Sequence, residues 1–108
     1  MAIHKKEEFT QREQDLANFA KAMAHPARIA ILKVLAQRNE CICGEIVELL
    51  PLAQSTVSQH LKELKNACLI KGSIEGNAIC YCIDEKSIEK LINYFSKITT
   101  KLKSKSCC

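Results

Sequence analysis

The chain has 108 residues, of which 16 are Lys or Arg, 12 are Asp or Glu and 7 are Cys. A hydrophobic fraction of 47% with only 3 Gly and 2 Pro excludes a disordered or fibrous protein, and the length predicts one domain. No apolar run approaches the roughly 18 residues of a transmembrane helix. The first ten residues are polar and do not resemble a secretory signal, so we predict a cytoplasmic protein with no membrane partner.

The formal net charge of +4 belongs to the C-terminal end of the chain. Residues 1–96 contain 12 basic and 12 acidic side chains, so the excess comes from Lys97, Lys101, Lys103 and Lys105. A mildly basic chain permits a nucleic-acid partner but does not establish one.

Apolar residues at helical spacing predict four helices in succession, over 7–23, 27–38, 41–50 and 53–67. Pro26 is well placed in the first turn of the second helix, and Pro51 ends the third at a tight turn. A short helix, a tight turn and a second helix are typical of a helix-turn-helix.

The hydrophobic period then changes from that of a helix to that of a strand. Segments 69–74 and 77–84 predict two strands around the Glu75-Gly76 turn, and 85–102 predicts a long final helix with a continuous apolar stripe. The order ααααββα predicts a mainly α winged helix-turn-helix with a small β-hairpin, in one domain over 1–102, followed by a basic, Cys-ended tail over 103–108. The terminal helices carry more apolar surface than this core needs, which predicts a homodimer.

The fourth predicted helix has a polar face that suits DNA. Ser and Thr can bind phosphate oxygens and Gln can read adenine, although a solvated amphipathic helix shows the same pattern. The candidate DNA-binding residues are Gln54, Ser55, Thr56, Ser58, Gln59, His60, Lys62 and Lys65.

The cysteines fall into three close pairs and one single residue. An odd number excludes a complete set of intrachain disulfides, and cysteines in a reducing compartment more often bind metals or act in redox chemistry. The pairs are Cys41 with Cys43, Cys80 with Cys82, and Cys107 with Cys108, and Cys68 stands alone.

Four stretches together resemble the arsenical-resistance repressor (ArsR/SmtB) family of winged-helix regulators. Residues 54–64 resemble its recognition helix, 25–32 its second-helix opening, 40–46 its metal-binding segment and 72–84 its wing. The resemblance, over about residues 10–103, implies a homodimeric repressor that leaves operator double-stranded DNA when a toxic ion binds. Two features depart from the family pattern: the wing tip has no Arg, and Ala53 stands where a Ser commonly caps the recognition helix.

The resemblance also implies that the Cys41/Cys43 pair binds arsenite or a divalent metal. Soft thiolates select such ions, but two cysteines two positions apart can share one ion only where the helix is distorted. One branch of the family places a third Cys where this chain has Ile46, so we predict that Cys107 and Cys108 complete the site. The expected inducer is As(III), with Sb(III) or a trivalent organoarsenical as further candidates.

The remaining cysteines and one histidine have structural interpretations. Cys80 and Cys82 share one face of a strand, where they fit small apolar packing better than a shared ion. Cys68 is expected to fill the core, and His25 to cap or pack at the junction of two helices.

Two alternatives of the same fold remain open, and an enzyme is a third interpretation from a different class. Cysteine pairs can sense oxidants or reactive sulfur by forming a disulfide or polysulfide bridge. Cys41, Cys43, Cys107 and Cys108 can form a four-thiolate zinc site. An enzyme is disfavoured, because the chain has no Cys-x-x-Cys in a βαβ context, no phosphate-binding Gly loop and no cysteine with a clear general base.

Overall fold

The computed structural model describes residues 8–38, 41–43 and 45–102. Its helices are α1 (Gln11–Met23), α2 (Pro26–Arg38), α3 (Gln54–Asn66) and α4 (Glu85–Leu102). Its strands are β1 (Ile42–Cys43), β2 (Ile70–Glu75) and β3 (Ala78–Ile83), and a 3₁₀ helix covers Glu45–Leu49. No helix within the described ranges is long and apolar enough to cross a membrane.

A capping box fixes the start of α1. The Glu13 backbone N–H donates to Thr10 Oγ1 at 3.1 Å, and the Thr10 N–H donates to Glu13 Oε1 at 2.9 Å. Two donors that the helix itself leaves unpaired are thereby satisfied.

His25 separates α1 from α2. Its Nδ1 accepts a hydrogen bond of 3.0 Å from the Ala27 N–H, next to Pro26 in the first turn of α2. The prediction that His25 caps this junction is therefore confirmed, and the position of Pro26 follows from its lack of an N–H.

The predicted third helix over 41–50 is wrong in its first half. Ile42 and Cys43 form β1, which pairs antiparallel with β3 in the register Ile42↔Tyr81 and Cys43↔Cys80. The later half is the 3₁₀ helix, and Ile46 is fully buried there. The extended conformation wins over the helix because β3 supplies hydrogen-bond partners that a short helix start would lack.

The sheet has the order β1-β3-β2. β2 and β3 form the predicted hairpin, with Glu75 opposite Ala78 and the turn at Gly76, whose φ is 62°. Glycine adopts this left-handed conformation without steric cost.

α3 ends in a Schellman motif with a cysteine at the left-handed position. The Cys68 N–H donates to Lys65 O at 2.9 Å, and the Leu69 N–H donates to Leu64 O at 3.0 Å. Cys68 has a φ of 65° and is exposed. Its predicted place in the core is wrong, because this motif turns the side chain at that position outward.

The core lies where α1, α2, α3 and the sheet meet. Its buried apolar residues include Phe19, Ile31, Leu35, Val57, Leu64 and Leu69. α4 joins through Ser87, whose Oγ donates to Cys68 O at 2.6 Å. The opposite face of α4 stays uncovered: Ile92 and Phe95 are each 58% exposed, and Ile98 and Leu102 continue the row.

Candidate nucleic-acid interface and cysteine site

α3 presents one apolar face to the core and one polar face to solvent. Val57, Leu61 and Leu64 are buried on the inner face. The exposed residues of the outer face are Gln54, Ser55, Thr56, Ser58, Gln59, Lys62 and Lys65. Seven of the eight candidate DNA-binding side chains thus share one solvent-facing surface, as a recognition helix requires.

His60 is the exception, and its assignment as a DNA-reading residue is wrong. Its side chain is only 7% exposed, and its Nδ1 accepts a hydrogen bond of 3.0 Å from Arg28 Nε. Burial lowers the pKa of His60, and the nearby His25 and Arg28 lower it further. A neutral, buried imidazole that holds Arg28 serves the packing of α2 on α3.

The start of α3 is free of acidic side chains. Ala53 at the N-cap provides no side-chain hydrogen bond, as expected from the sequence, and the first turn contains no Asp or Glu. The partial positive charge of a helix N-terminus is therefore not offset there, which suits a DNA phosphate.

The wing lies beside the C-terminal half of α3. A Cβ added at Gly72 of β2 would lie 3.4 Å from Lys65 Nζ and 3.4 Å from Tyr81 Cε1, so the Lys65 side chain lies against the hairpin. The wing tip carries Glu75, and Ile74 is 80% exposed. The tip therefore presents an exposed apolar side chain and a carboxylate to its surroundings, rather than a positive charge.

The sheet brings together two cysteines that are 41 positions apart. Cys41, next to β1, and Cys82 of β3 form a disulfide bond, with their Cα atoms 4.4 Å apart. The interpretation of Cys82 as simple apolar packing is therefore wrong. Both Cys-x-Cys segments have the period of a strand, which is the signal that could have placed them on facing strands.

Cys80 lies one step further along the same face of β3. It is fully buried and disulfide-bonded, and its Sγ lies 3.1 Å from Glu75 Oε2. The backbone of Cys43 is its register partner. The Cys43 side chain, and Cys107 and Cys108 of the predicted metal site, lie outside the described part of the chain.

A cleft of about 740 Å³ opens beside Cys41 and Cys82. Leu35, Ala36 and Ile83 form its apolar wall, and Lys71, Asp84, Glu85 and Lys86 supply charges of both signs. Within the described ranges no cluster of three or more metal-ligating residues is found. The Cys41/Cys82 disulfide is the pair of described cysteines that borders this cleft.

Comparison with known proteins agrees with this geometry. Residues 25–71 match the sequence model described as "Bacterial regulatory protein, arsR family". The chain is 34% identical over 96 residues to the transcriptional repressor PagR of Bacillus anthracis, covering 89% of this chain and 95% of PagR. It is 30% identical to a cadmium resistance regulatory protein, a CadC homolog of Staphylococcus aureus, over 82% of this chain and 73% of that protein.

A solved structure supports the architecture. The homodimeric winged helix-turn-helix DNA-binding domain Mb0332 of Mycobacterium bovis matches with a TM-score of 0.64 at 26% identity, over 82% of this chain and 81% of that one. The predicted mainly α winged helix-turn-helix fold is thus confirmed, with a short strand and a 3₁₀ helix in place of the third helix. The chain therefore belongs to the ArsR/SmtB family of DNA-binding transcriptional repressors, and not to a family of enzymes.

Proposed function

We propose that this chain is a cytoplasmic homodimeric repressor that binds operator double-stranded DNA through α3 and is released when trivalent arsenic binds its cysteine thiolates. The observation that carries the proposal is the combination in one small domain of an exposed polar face on α3 and a cysteine pair on the adjoining sheet. Sb(III) has the same thiophilic chemistry and is a second inducer of this class.

DNA binding is supported by the two faces of α3. The seven exposed polar residues face away from the buried Val57, Leu61 and Leu64, so they are free to enter a major groove. Two copies are needed because one short helix reads only a half-site. The uncovered apolar row on α4, including Ile92 and Phe95, provides the surface through which two copies associate.

The arsenic part of the proposal depends on Cys41, Cys43 and the tail cysteines Cys107 and Cys108. Cys41 is exposed, so its thiolate is accessible to an ion once the bond to Cys82 has been reduced. One relative is named as a cadmium resistance transcriptional regulatory protein, which supports a role for soft metal ions in this family. Arsenic is preferred here because trivalent arsenic favours thiolates, and these four residues are all cysteines.

A gel shift on the promoter region of the chain's own operon tests this function. We expect the reduced wild-type protein to retard the DNA, and arsenite to abolish the shift. The Cys41→Ser, Cys43→Ser variant should bind DNA normally but ignore arsenite, whereas Cys68→Ser should respond as the wild type does. Arsenite release that is unchanged in the double variant would contradict thiolate sensing.

The disulfide between Cys41 and Cys82 favours a second candidate function, a repressor that senses oxidants or reactive sulfur. In a reducing compartment such a bond is normally transient and regulatory. Treatment with peroxide or a polysulfide in place of arsenite distinguishes the two, and zinc added after chelation tests a zinc sensor in the same assay.

A further inference from the structure

We infer that Cys82 of the wing strand, together with Cys41, forms a two-thiolate site for a trivalent arsenical. This inference rests on the proposed function and deepens it, because it assigns a ligand to β3 that neither the Cys41/Cys43 motif nor the tail supplies. The Cys41/Cys82 site is defined by these two side chains and the cleft beside them.

The backbone brings the two sulfurs together. β1 and β3 are antiparallel with Ile42 opposite Tyr81, so the preceding Cys41 comes opposite Cys82. Their Cα atoms are 4.4 Å apart, which is the spacing of a directly opposed cross-strand pair. Reduction lets both side chains rotate about their Cα–Cβ bonds, so the sulfurs can separate to either side of one arsenic atom.

Binding is an exchange of ligands on arsenic. Each thiol forms an As–S bond as an As–OH bond breaks, and the thiol proton leaves with the hydroxide as water. Two such exchanges release two waters and transfer no electrons, so no oxidant or reductant is consumed. The disulfide is the oxidised form of the same pair. A low-molecular-weight thiol must first reduce it by thiol–disulfide exchange, in which that thiol is oxidised to its own disulfide and supplies the two electrons and two protons.

The cleft accommodates the third position on arsenic. Cys41 is exposed and Cys82 is half-buried, so the pair lies at the mouth of the cleft rather than inside the core. Leu35 and Ile83 can contact an organic substituent, and Lys71 is the register partner of Cys82 on β2. Phenylarsine oxide, which can form only two As–S bonds, is therefore a suitable probe.

The location also connects the site to DNA binding. β1 leads directly into the 3₁₀ helix that precedes α3, and β3 is a strand of the wing. An arsenic atom bonded to both residues fixes the wing relative to the helix-turn-helix. Coupling between an effector site and a second site typically changes affinity by about 5–150-fold.

The test is a chemical footprint on the full-length protein. The reduced protein is treated with one equivalent of phenylarsine oxide, alkylated with iodoacetamide and analysed by peptide mass spectrometry. We expect the arsenical to protect Cys41 and Cys82 and to leave Cys68, which is free and exposed, fully alkylated. Alkylation of Cys82 in the arsenical-loaded wild-type protein would overturn the inference. This footprint needs no variant, so its result does not depend on whether a variant folds.

The Cys82→Ser variant, with Cys68→Ser as its matched control, extends the test. We expect Cys82→Ser to lose the protection of Cys41 and at least about 90% of phenylarsine oxide binding, whereas the control binds as the wild type does. If arsenite releases operator DNA equally from Cys82→Ser and from the wild type, the function stands and this site is wrong. If the pair is protected but DNA is not released, the site stands and the inducer is wrong.

Discussion

Arg28 Nε donates a hydrogen bond of 3.0 Å to Nδ1 of His60, and Arg28 Nη1 donates one of 3.1 Å to Ala22 O. One guanidinium therefore holds the end of α1 and the inner face of α3 together. Because Nδ1 accepts, the imidazole is neutral and carries its proton on Nε2. The position of α3, and hence of its solvent-facing polar surface, depends on this neutral form.

Acidification should destabilise the protein through His60. Burial, with His25 and Arg28 nearby, lowers the pKa of His60 in the folded state. The unfolded chain therefore binds a proton first as the pH falls below about 6.5, and folding stability decreases from there. Urea unfolding of the wild type at pH 7.5 and 5.5 should show this loss, and His60→Gln, which still accepts from Arg28 but does not titrate, should lose less. An equal loss in both proteins would contradict the role of His60.

Glycine at position 68 should stabilise the protein. Cys68 occupies the left-handed position of the Schellman motif with a φ of 65°. Cys68→Gly removes the Cβ that disfavours this left-handed conformation, but glycine also gives the unfolded chain more conformational entropy. The net result should be an increase of about 0.5–1 kcal/mol in the free energy of unfolding. Cys68→Ala removes the thiol but keeps the Cβ, so it is the matched control and should show no such gain. Equal stability of the two variants in urea would refute the argument.

A charge in the apolar row of α4 should separate the dimer. Phe95 is 58% exposed, and its burial in two copies contributes about 1.5–3 kcal/mol each. Phe95→Glu should therefore weaken dimerisation about 100-fold or more, as measured by analytical ultracentrifugation. Asn93→Glu adds the same charge two positions earlier, beside the α1-facing cleft, and should remain dimeric. If both variants remain dimeric, the row is not the interface.

Lys62 should contribute to DNA binding mainly through charge. It is exposed on the outer face of α3. If one Lys62 per protomer binds a phosphate, Lys62→Ala should reduce the slope of log affinity against log salt concentration by about 1.8 per dimer. Lys33→Ala, at an exposed lysine of α2, should leave the slope unchanged. Fluorescence anisotropy across a salt series measures both, and equal slopes for Lys62→Ala and wild type would remove Lys62 from the interface.

The sequence predicted the helices well because their signal is local. The bounds of α1, α2 and α3 differ from the prediction by at most a few residues, and those of α4 agree. β1 was missed because its two residues become a strand only through pairing with β3, about 40 positions later. The Cys-x-Cys period of this segment is compatible with a strand, but it does not identify β3 as the pairing partner.

The errors at single residues have local causes. His60 lies three positions after Val57 and four before Leu64, which places it on the buried stripe despite its polar side chain. Cys68 was assigned to the core by residue type, whereas its backbone conformation exposes it. The partnership of Cys41 with Cys82 needed the register of the sheet, which is a property of the fold.

The two-residue strand β1 gives the hairpin the mechanics of a lever. Gly76 at its tip lies four residues before Cys80, the first residue of β3 that is paired to β1, at a distance of about 13 Å along an extended strand. A rotation of only about 10° about this pivot displaces the tip by about 2 Å, enough to break a hydrogen bond to a DNA groove. The tip of the hairpin, beyond the two residues paired to β1, is therefore the part that a small rotation about this pivot would displace most.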